Sequence, residues 1–248
     1  MTGACTPFAA TLSSDAALAH LGAAADRFSV TLTGDLGSPV PSCPGWNLRA
    51  LAAHLGGIHR WARSALTQPK PGRQSDDGPE PGVDLGAWFD EGARQLIDTL
   101  RHTDPAASCW TFGPPPRTAA FWFRRQANET AMHAWDAQRT IGGAATPFPP
   151  DLALDGVDEV VTMFVPRQIR RGRLSPPTQA VELRATDADG GLTWRLGQDE
   201  REPDAVLAAR AETLLLLLWR RLRIDTADVA ISGDAVAVDT MLAAPLTP

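Results

Sequence analysis

The sequence predicts a two-domain protein of the α + α/β class, with a helical domain first and a smaller α/β domain after it. Apolar residues recur at the helical period in the first part of the chain, and alternation at period two appears later. Between them, the stretch GGAATPFPP at residues 142–150 has the glycine and proline content of a linker. We therefore predict a helical domain at residues 1–147 and a small α/β domain at residues 148–248.

Four helices separated by loops are predicted in the first domain. Ser13 or Ser14 can cap the first helix, Asn47 can cap the second, and Asp84 opens the third. The predicted helices run from the first cap toward Phe28, and then over residues 48–66, 84–100 and about 118–141. The segment TQPKPGRQSDDGPEPG at residues 67–82 has the composition of a long exposed loop. Four helices with long connections predict a four-helix bundle.

The second domain is predicted to begin with a helix over residues 151–170. The segments QAVELRAT and GLTWRLG then flank the turn sequence DADGG, which predicts a β-hairpin over residues 179–197. The remaining predicted elements are a helix over residues 212–222, a strand over 228–232 and a helix over 234–242.

Composition and charge argue against several classes of function. The net charge of −6 is spread along the chain without a basic stripe, which argues against a nucleic-acid partner. Three widely separated cysteines, Cys5, Cys43 and Cys109, form no CxxC pair, so neither a disulfide framework nor a four-cysteine zinc site is expected. The start of the chain lacks a leader pattern, and the longest apolar run, at residues 214–219, is too short to cross a bilayer. We therefore expect a protein of the reducing cytoplasm, without a membrane partner.

The fourth predicted helix carries Glu129 and His133, whose spacing of four residues places them on one face. This face is either solvated and laced with ion pairs, or it lines an internal polar site. A metal site there needs a third ligand from another element. The second helix offers His54 and His59, which lie roughly 140° apart around the helix and cannot both face one ion. Periodicity does not choose between these two histidines.

Three segments of the chain resemble the mycothiol-dependent maleylpyruvate isomerase family of actinobacteria. They are VPSCPGWNLRALAAHLGGIHRWA, FWFRRQANETAMHAWDAQ and LDGVDEVVTMFVP, at residues 40–62, 121–138 and 154–166. The resemblance implies a DinB-like four-helix bundle followed by a small α/β domain similar to sterol carrier proteins. It also implies a divalent metal, usually zinc, held by His54 of the AHLGG motif and by Glu129 and His133 of the ExxxH motif. His59 is then structural or supports the ligands.

The resemblance further implies mycothiol as a cosubstrate and an electrophilic or acidic small molecule as the substrate. Two histidines and a glutamate leave one position of a zinc ion open, which is typical of catalytic sites. A thiol bound there loses its proton and becomes a nucleophile for cis-trans isomerisation or for S-transfer. The alternative is a non-catalytic binding protein of the same fold with a resistance or regulatory role.

Residues outside the predicted metal site have weaker functional interpretations. Arg221 lies where the family usually carries an arginine after tryptophan and glycine, so the resemblance implies a role toward an acidic substrate or in catalysis. Arg220 replaces the usual glycine, which leaves this alignment open by one residue. Asp136 either orients a ligand or pairs with Arg125. Asn128 and Ala134 depart from the histidine and arginine that the family often has at these positions.

Overall fold

A computed structural model describes residues 12–188, 190–197 and 202–248 of the chain. These residues divide into two compact units, Leu12–Pro147 and Phe148–Pro248. The first unit is helical and the second contains a small mixed sheet, which confirms the predicted fold class. The expectations for Cys5 and for the start of the chain lie outside the described residues, as does Asp189 in the predicted turn. Among the described residues, no helix has the length and apolar content to cross a membrane.

The first unit contains four helices that follow the capping pattern of the sequence. They are α1 (Ser14–Thr31), α2 (Leu48–Thr67), α3 (Leu85–Arg101) and α4 (Ala120–Thr140). The side chains of Ser13, Asn47 and Asp84 accept hydrogen bonds from the first turns of α1, α2 and α3. Each of these bonds satisfies a backbone N–H that the helix leaves unpaired, which explains why the three helices begin where they do.

The four helices pack as a bundle around an apolar core. Helix α1 packs against α3 and α4, and helix α2 packs against the same two helices. The rings of Phe28 in α1 and Phe89 in α3 lie 4.6 Å apart at the centre of this core. The apolar stripe of α2, which includes the fully buried Leu48, Leu51 and Leu55, faces the same core. This packing sets the rotation of α2 and α4 and therefore the direction of their polar side chains.

The second unit combines helices with a four-stranded sheet. Its helical elements are α5 (Pro150–Glu159), a π-helical segment (Val160–Phe164), α6 (Val165–Arg170), α7 (Ala211–Leu218), a 3₁₀ turn (Ile224–Thr226) and α8 (Ala235–Ala243). Its strands are β1 (Val181–Ala185), β2 (Thr193–Leu196), β3 (Ala205–Ala209) and β4 (Ala230–Gly233). The strand order is β2-β1-β3-β4, with β1 and β3 parallel and both outer pairs antiparallel. The antiparallel pairing of β1 with β2 confirms the predicted hairpin.

Strand β3 and the end of helix α7 differ from the prediction, and the helix predicted over residues 151–170 contains a π-helical segment. Strand β3, with the sequence AVLAA, was not predicted, because alanine favours helices and a single valine is a weak strand signal. Helix α7 ends at Leu218, four residues before the predicted end. It ends because Arg220 adopts the left-handed conformation, with a φ of 56°. The backbone N–H groups of Arg220 and Arg221 then donate to the carbonyls of Leu217 and Leu216, which is the Schellman pattern of helix termination.

Candidate metal centre

His54, Glu129 and His133 converge on one point in the first unit. The Nε2 atoms of His54 and His133 lie 3.3 Å and 3.4 Å from the same atom, Oε1 of Glu129. The three possible ligand atoms all lie within 4.8 Å of one another. A tetrahedral zinc ion with ligand bonds of about 2.0–2.1 Å has ligands about 3.3–3.4 Å apart. The two distances to Glu129 therefore match the separation of ligands around a zinc ion.

Helix α4 brings two of these groups together through its own periodicity. Arg125, Glu129 and His133 follow one another at intervals of four residues and share one face. This face is turned inward, since Arg125 is 4% exposed and His133 is 8% exposed. The alternative of a solvated face laced with ion pairs is therefore excluded, and the face lines an internal polar site.

The atom of each candidate ligand that points away from the centre has a partner. Nδ1 of His133 donates to Oδ2 of Asp136 at 3.0 Å, and Nδ1 of His54 donates to Oδ1 of Asp76 at 3.0 Å. Arg125 donates to Oε2 of Glu129. Because carboxylates accept these hydrogen bonds, both imidazole rings turn their Nε2 atoms toward the centre, and Glu129 presents one oxygen.

The surroundings of the two candidate ligands on α4 favour a negative Glu129 and a positive His133. Burial alone would raise the pKa of Glu129, but the Arg125 guanidinium and hydrogen bonds from both histidines hold this pKa well below its usual range. Burial opposes the charged form of His133 as well, yet hydrogen bonds to Asp136 and Glu129 raise its pKa to about 9. In the metal-free centre, a negatively charged Glu129 thus lies next to positively charged side chains.

His59 lies in the bundle core and does not belong to this centre. Its ring is fully buried and its Nε2 atom lies 2.9 Å from Oγ1 of Thr130 in α4. Its ring also packs against Phe89. Burial lowers the pKa of His59 to about 3, against the attraction of Glu129. The bundle packing thus selects His54 over His59, a choice that periodicity left open.

The connection between α1 and α2 forms another side of the centre. The ring of Trp46 lies 4.9 Å from the ring of His54, and Ser42 donates to Oδ1 of Asp136 at 2.5 Å. Cys43 donates weakly to the other oxygen of Asp136, at 3.8 Å. Cys43, His133 and Asp136 also lie close enough to hold an ion. The hydrogen bonds from Ser42 and His133 already engage both oxygens of Asp136, which favours the set of His54, Glu129 and His133.

Arg221 belongs to the second unit, where it contacts Trp219. Its guanidinium donates to the carbonyl of Trp219 at 2.9 Å and lies over the ring of that tryptophan. The neighbouring Arg220 donates to the carbonyls of Ala243 and Ala244 at the end of α8. The left-handed backbone of Arg220 is the conformation that glycine adopts most easily. The role of Arg221 stays a prediction.

Sequence reasoning did not single out Asp76, although it contacts His54. Asp76 lies in a loop whose composition predicts only exposure, and 22 residues separate it from His54. No local spacing relates the two residues. The sequence SDD does not predict this contact. It forms because the loop runs along α2 in the folded structure.

A four-helix bundle followed by a small mixed α/β unit defines a class of two-domain proteins. The N-terminal domain of mycothiol maleylpyruvate isomerase matches residues 18–138, and the C-terminal domain of the same family matches residues 151–240. The chain therefore belongs to the mycothiol-dependent maleylpyruvate isomerase family, which is a family of enzymes.

Solved structures support the same fold assignment. One is a mycothiol-dependent maleylpyruvate isomerase, with a TM-score of 0.63 and 13% sequence identity. Another is a histidine-to-alanine mutant of the mycothiol-dependent maleylpyruvate isomerase, with a TM-score of 0.64 and 13% identity. Each comparison covers 90% of this chain and 95% of the other. At this identity the likeness establishes the fold, and no curated protein matches the sequence.

Proposed function

We propose that the chain is a zinc-dependent enzyme that uses mycothiol to attack an electrophilic small molecule. The observation that carries the proposal is the convergence of His54, Glu129 and His133 at the spacing of zinc ligands, in a chain of this family. Three such ligands leave the fourth position of a zinc ion open. Zinc held there would supply a cation that lowers the pKa of an incoming thiol and so yields a thiolate at neutral pH.

The surrounding residues keep the three ligands in their orientations. Asp136 and Asp76 hold the imidazole rings through Nδ1, and Arg125 holds the outer oxygen of Glu129. Rings and carboxylate that are already oriented lose little entropy when they bind an ion. The side chains of His54 and Glu129 are 15% and 13% exposed, so the centre remains accessible from outside the bundle.

The proposed reaction begins with the thiol of mycothiol and an activated double bond. The sulfur forms a bond to one alkene carbon, and the displaced electron pair moves onto the conjugated carbonyl group. The former double bond is then single and rotates, and elimination of the thiolate restores the alkene in the trans form. An S-transferase would stop at the adduct, which takes up a proton. We propose that Arg221 contributes by pairing with a carboxylate of the substrate.

We place the reaction in a reducing cytoplasm. Neither Cys43 nor Cys109 takes part in a disulfide bond in the part of the chain that the structure describes. A thiol cosubstrate also stays reduced only in such a compartment.

The first test is metal analysis of the purified protein after loading with zinc. We expect about one zinc per chain in the wild type, and a loss of most of it in His54→Ala and His133→Ala. His59→Gln is the matched control, because His59 lies on the same helix but bonds Thr130, and this variant should keep its zinc. A wild-type chain that takes up no zinc would overturn the proposal.

The second test separates the two reactions that the site supports. The zinc-loaded protein is incubated with mycothiol and with a panel of cis-configured unsaturated acids, and the products are identified by mass and by NMR. A trans acid with mycothiol unchanged indicates isomerisation, and a stable thioether indicates S-transfer. Conversion that persists without mycothiol would contradict the thiol mechanism.

A further inference from the structure

A short stretch of the loop between α2 and α3 runs along the surface of α2. Residues 72–78, which we call the strap, contact α2 at four successive places. Gly72 accepts a hydrogen bond from Nε1 of Trp61 at 3.0 Å, and the Ser75 carbonyl lies against Gly57. Further along, Asp76 contacts His54 and Gly78 lies against Ala53. The strap and α2 therefore run in opposite directions, and the strap follows one side of the helix down to the candidate ligand.

The fit between the strap and α2 depends on Gly57. A Cβ atom at this position would lie 2.0 Å from the carbonyl oxygen of Ser75. No side chain can be accommodated at that distance, so the strap can occupy this position only because residue 57 is glycine. Gly57 is three residues after His54, which places the contact on the neighbouring turn of the same face.

Asp76 is the point where the strap reaches the metal centre. Its Oδ1 atom accepts hydrogen bonds from Nδ1 of His54 and from Nε2 of Gln74, each at 3.0 Å. The side chain of Asp76 is half exposed, so the strap itself forms part of the boundary between His54 and solvent. A carboxylate on Nδ1 fixes the tautomer that leaves Nε2 available for an ion.

We propose that Asp76 is a positioning residue for His54, and that the strap and the metal are thermodynamically coupled. This inference rests on the proposed function, because it needs zinc to bind His54. A seated strap orients His54 and raises zinc affinity, and bound zinc in turn favours the seated strap by the same factor. Residues that support a ligand in this way typically change metal affinity about 10–100-fold.

The affinity test uses variants at both ends of the strap contact. Asp76→Asn removes the negative carboxylate that accepts the hydrogen bond from Nδ1 of His54. Asp77→Asn is its control, since Asp77 bonds Ser75 instead. Gly57→Ala pushes the Ser75 carbonyl away without touching a ligand. Gly22→Ala is its control, since a Cβ there meets no atom within 4 Å. We expect zinc Kd to rise at least about tenfold in Asp76→Asn and Gly57→Ala and to stay unchanged in both controls.

The coupling test is limited proteolysis with trypsin, which reports on the strap without any enzymatic assay. The Arg73–Gln74 bond lies within the strap and is exposed, whereas the bond after Lys70 is protected by the following proline. Cleavage after the exposed Arg117, in the loop before α4, provides an internal reference. We expect zinc to slow cleavage at Arg73 about tenfold in the wild type and not in Asp76→Asn.

The outcomes separate this inference from the proposed function. A wild-type chain that binds no zinc overturns both. Zinc binding that depends on His54 and His133, with unchanged affinity in Asp76→Asn and Gly57→Ala, overturns the inference alone. Weaker binding in Asp76→Asn without zinc protection at Arg73 also overturns the coupling between strap and metal.

Discussion

Nδ1 of His133 lies 3.0 Å from Oδ2 of Asp136, which is fully buried one turn further along α4. This contact supports one of the two interpretations of Asp136 that the sequence left open, in which the carboxylate orients a candidate ligand. Ser42 donates to the other oxygen of Asp136 and so connects the loop before α2 to the same network. A buried carboxylate that accepts hydrogen bonds on both oxygens is well placed to hold one ring orientation.

The first prediction concerns this carboxylate. We expect Asp136→Asn to raise the zinc Kd about 10–100-fold, because the neutral amide holds Nδ1 of His133 less firmly and lowers the basicity of Nε2. Ser42→Ala is the control, since it removes one hydrogen bond from Asp136 and keeps the charge. Competition with a chromophoric chelator measures both constants. Equal zinc affinity in Asp136→Asn and the wild type would show that Asp136 does not support the ligand.

The second prediction concerns the pair of Arg125 and Glu129. Both side chains are largely buried, at 4% and 13% exposed, so removal of the guanidinium takes away the strongest favourable influence on a buried negative charge. We expect Arg125→Ala to lower the free energy of unfolding of the metal-free protein by about 3 kcal/mol. Urea unfolding in the presence of a chelator measures this loss.

Two further measurements identify the cause of that loss. In Arg125→Ala with Glu129→Gln, the buried charge is absent, and most of the stability should return. Zinc should also reduce the loss in Arg125→Ala, because the ion replaces the missing positive charge beside Glu129. A loss of equal size in the single and double variants would point to packing of the arginine side chain instead of its charge.

Local patterns predicted the bundle helices well, because capping and periodicity are properties of neighbouring residues. Asn47 and Asp84 cap α2 and α3 as the sequence indicates. Strand β3 was missed because pairing with β1 and β4 stabilises it, and its alanine-rich sequence carries little of that information. The contact between Asp76 and His54 likewise depends on how a long loop follows α2. Sequence spacing is therefore informative within a helix, and it loses its value across loops.

The third prediction concerns the pH dependence of stability. The folded-state pKa of His59 is about 3, whereas an unfolded histidine has a pKa of 6.5, so the unfolded chain binds the extra proton between these values. Stability from this group is thus complete above pH 6.5 and is lost as the pH falls toward 3. We expect acidification from pH 7 to pH 5 to cost the metal-free protein about 2 kcal/mol through His59.

Urea unfolding of the wild type and His59→Gln at both pH values checks this estimate. The difference in stability between the two proteins should shrink by about 2 kcal/mol at pH 5, because glutamine takes up no proton. His102→Gln, which changes an exposed ring, is the control and should follow the wild type. A difference that stays constant with pH would contradict a neutral, buried His59.

The fourth prediction concerns the end of α7, where Arg220 holds a φ of 56°. Arg220→Gly and Arg220→Ala both remove the hydrogen bonds to the carbonyls of Ala243 and Ala244, so the comparison between them isolates the backbone. Alanine keeps the steric cost of the left-handed conformation and glycine relieves it. We expect Arg220→Gly to be more stable than Arg220→Ala by about 1 kcal/mol in urea unfolding. Equal stabilities would mean that α7 ends without the left-handed residue in solution.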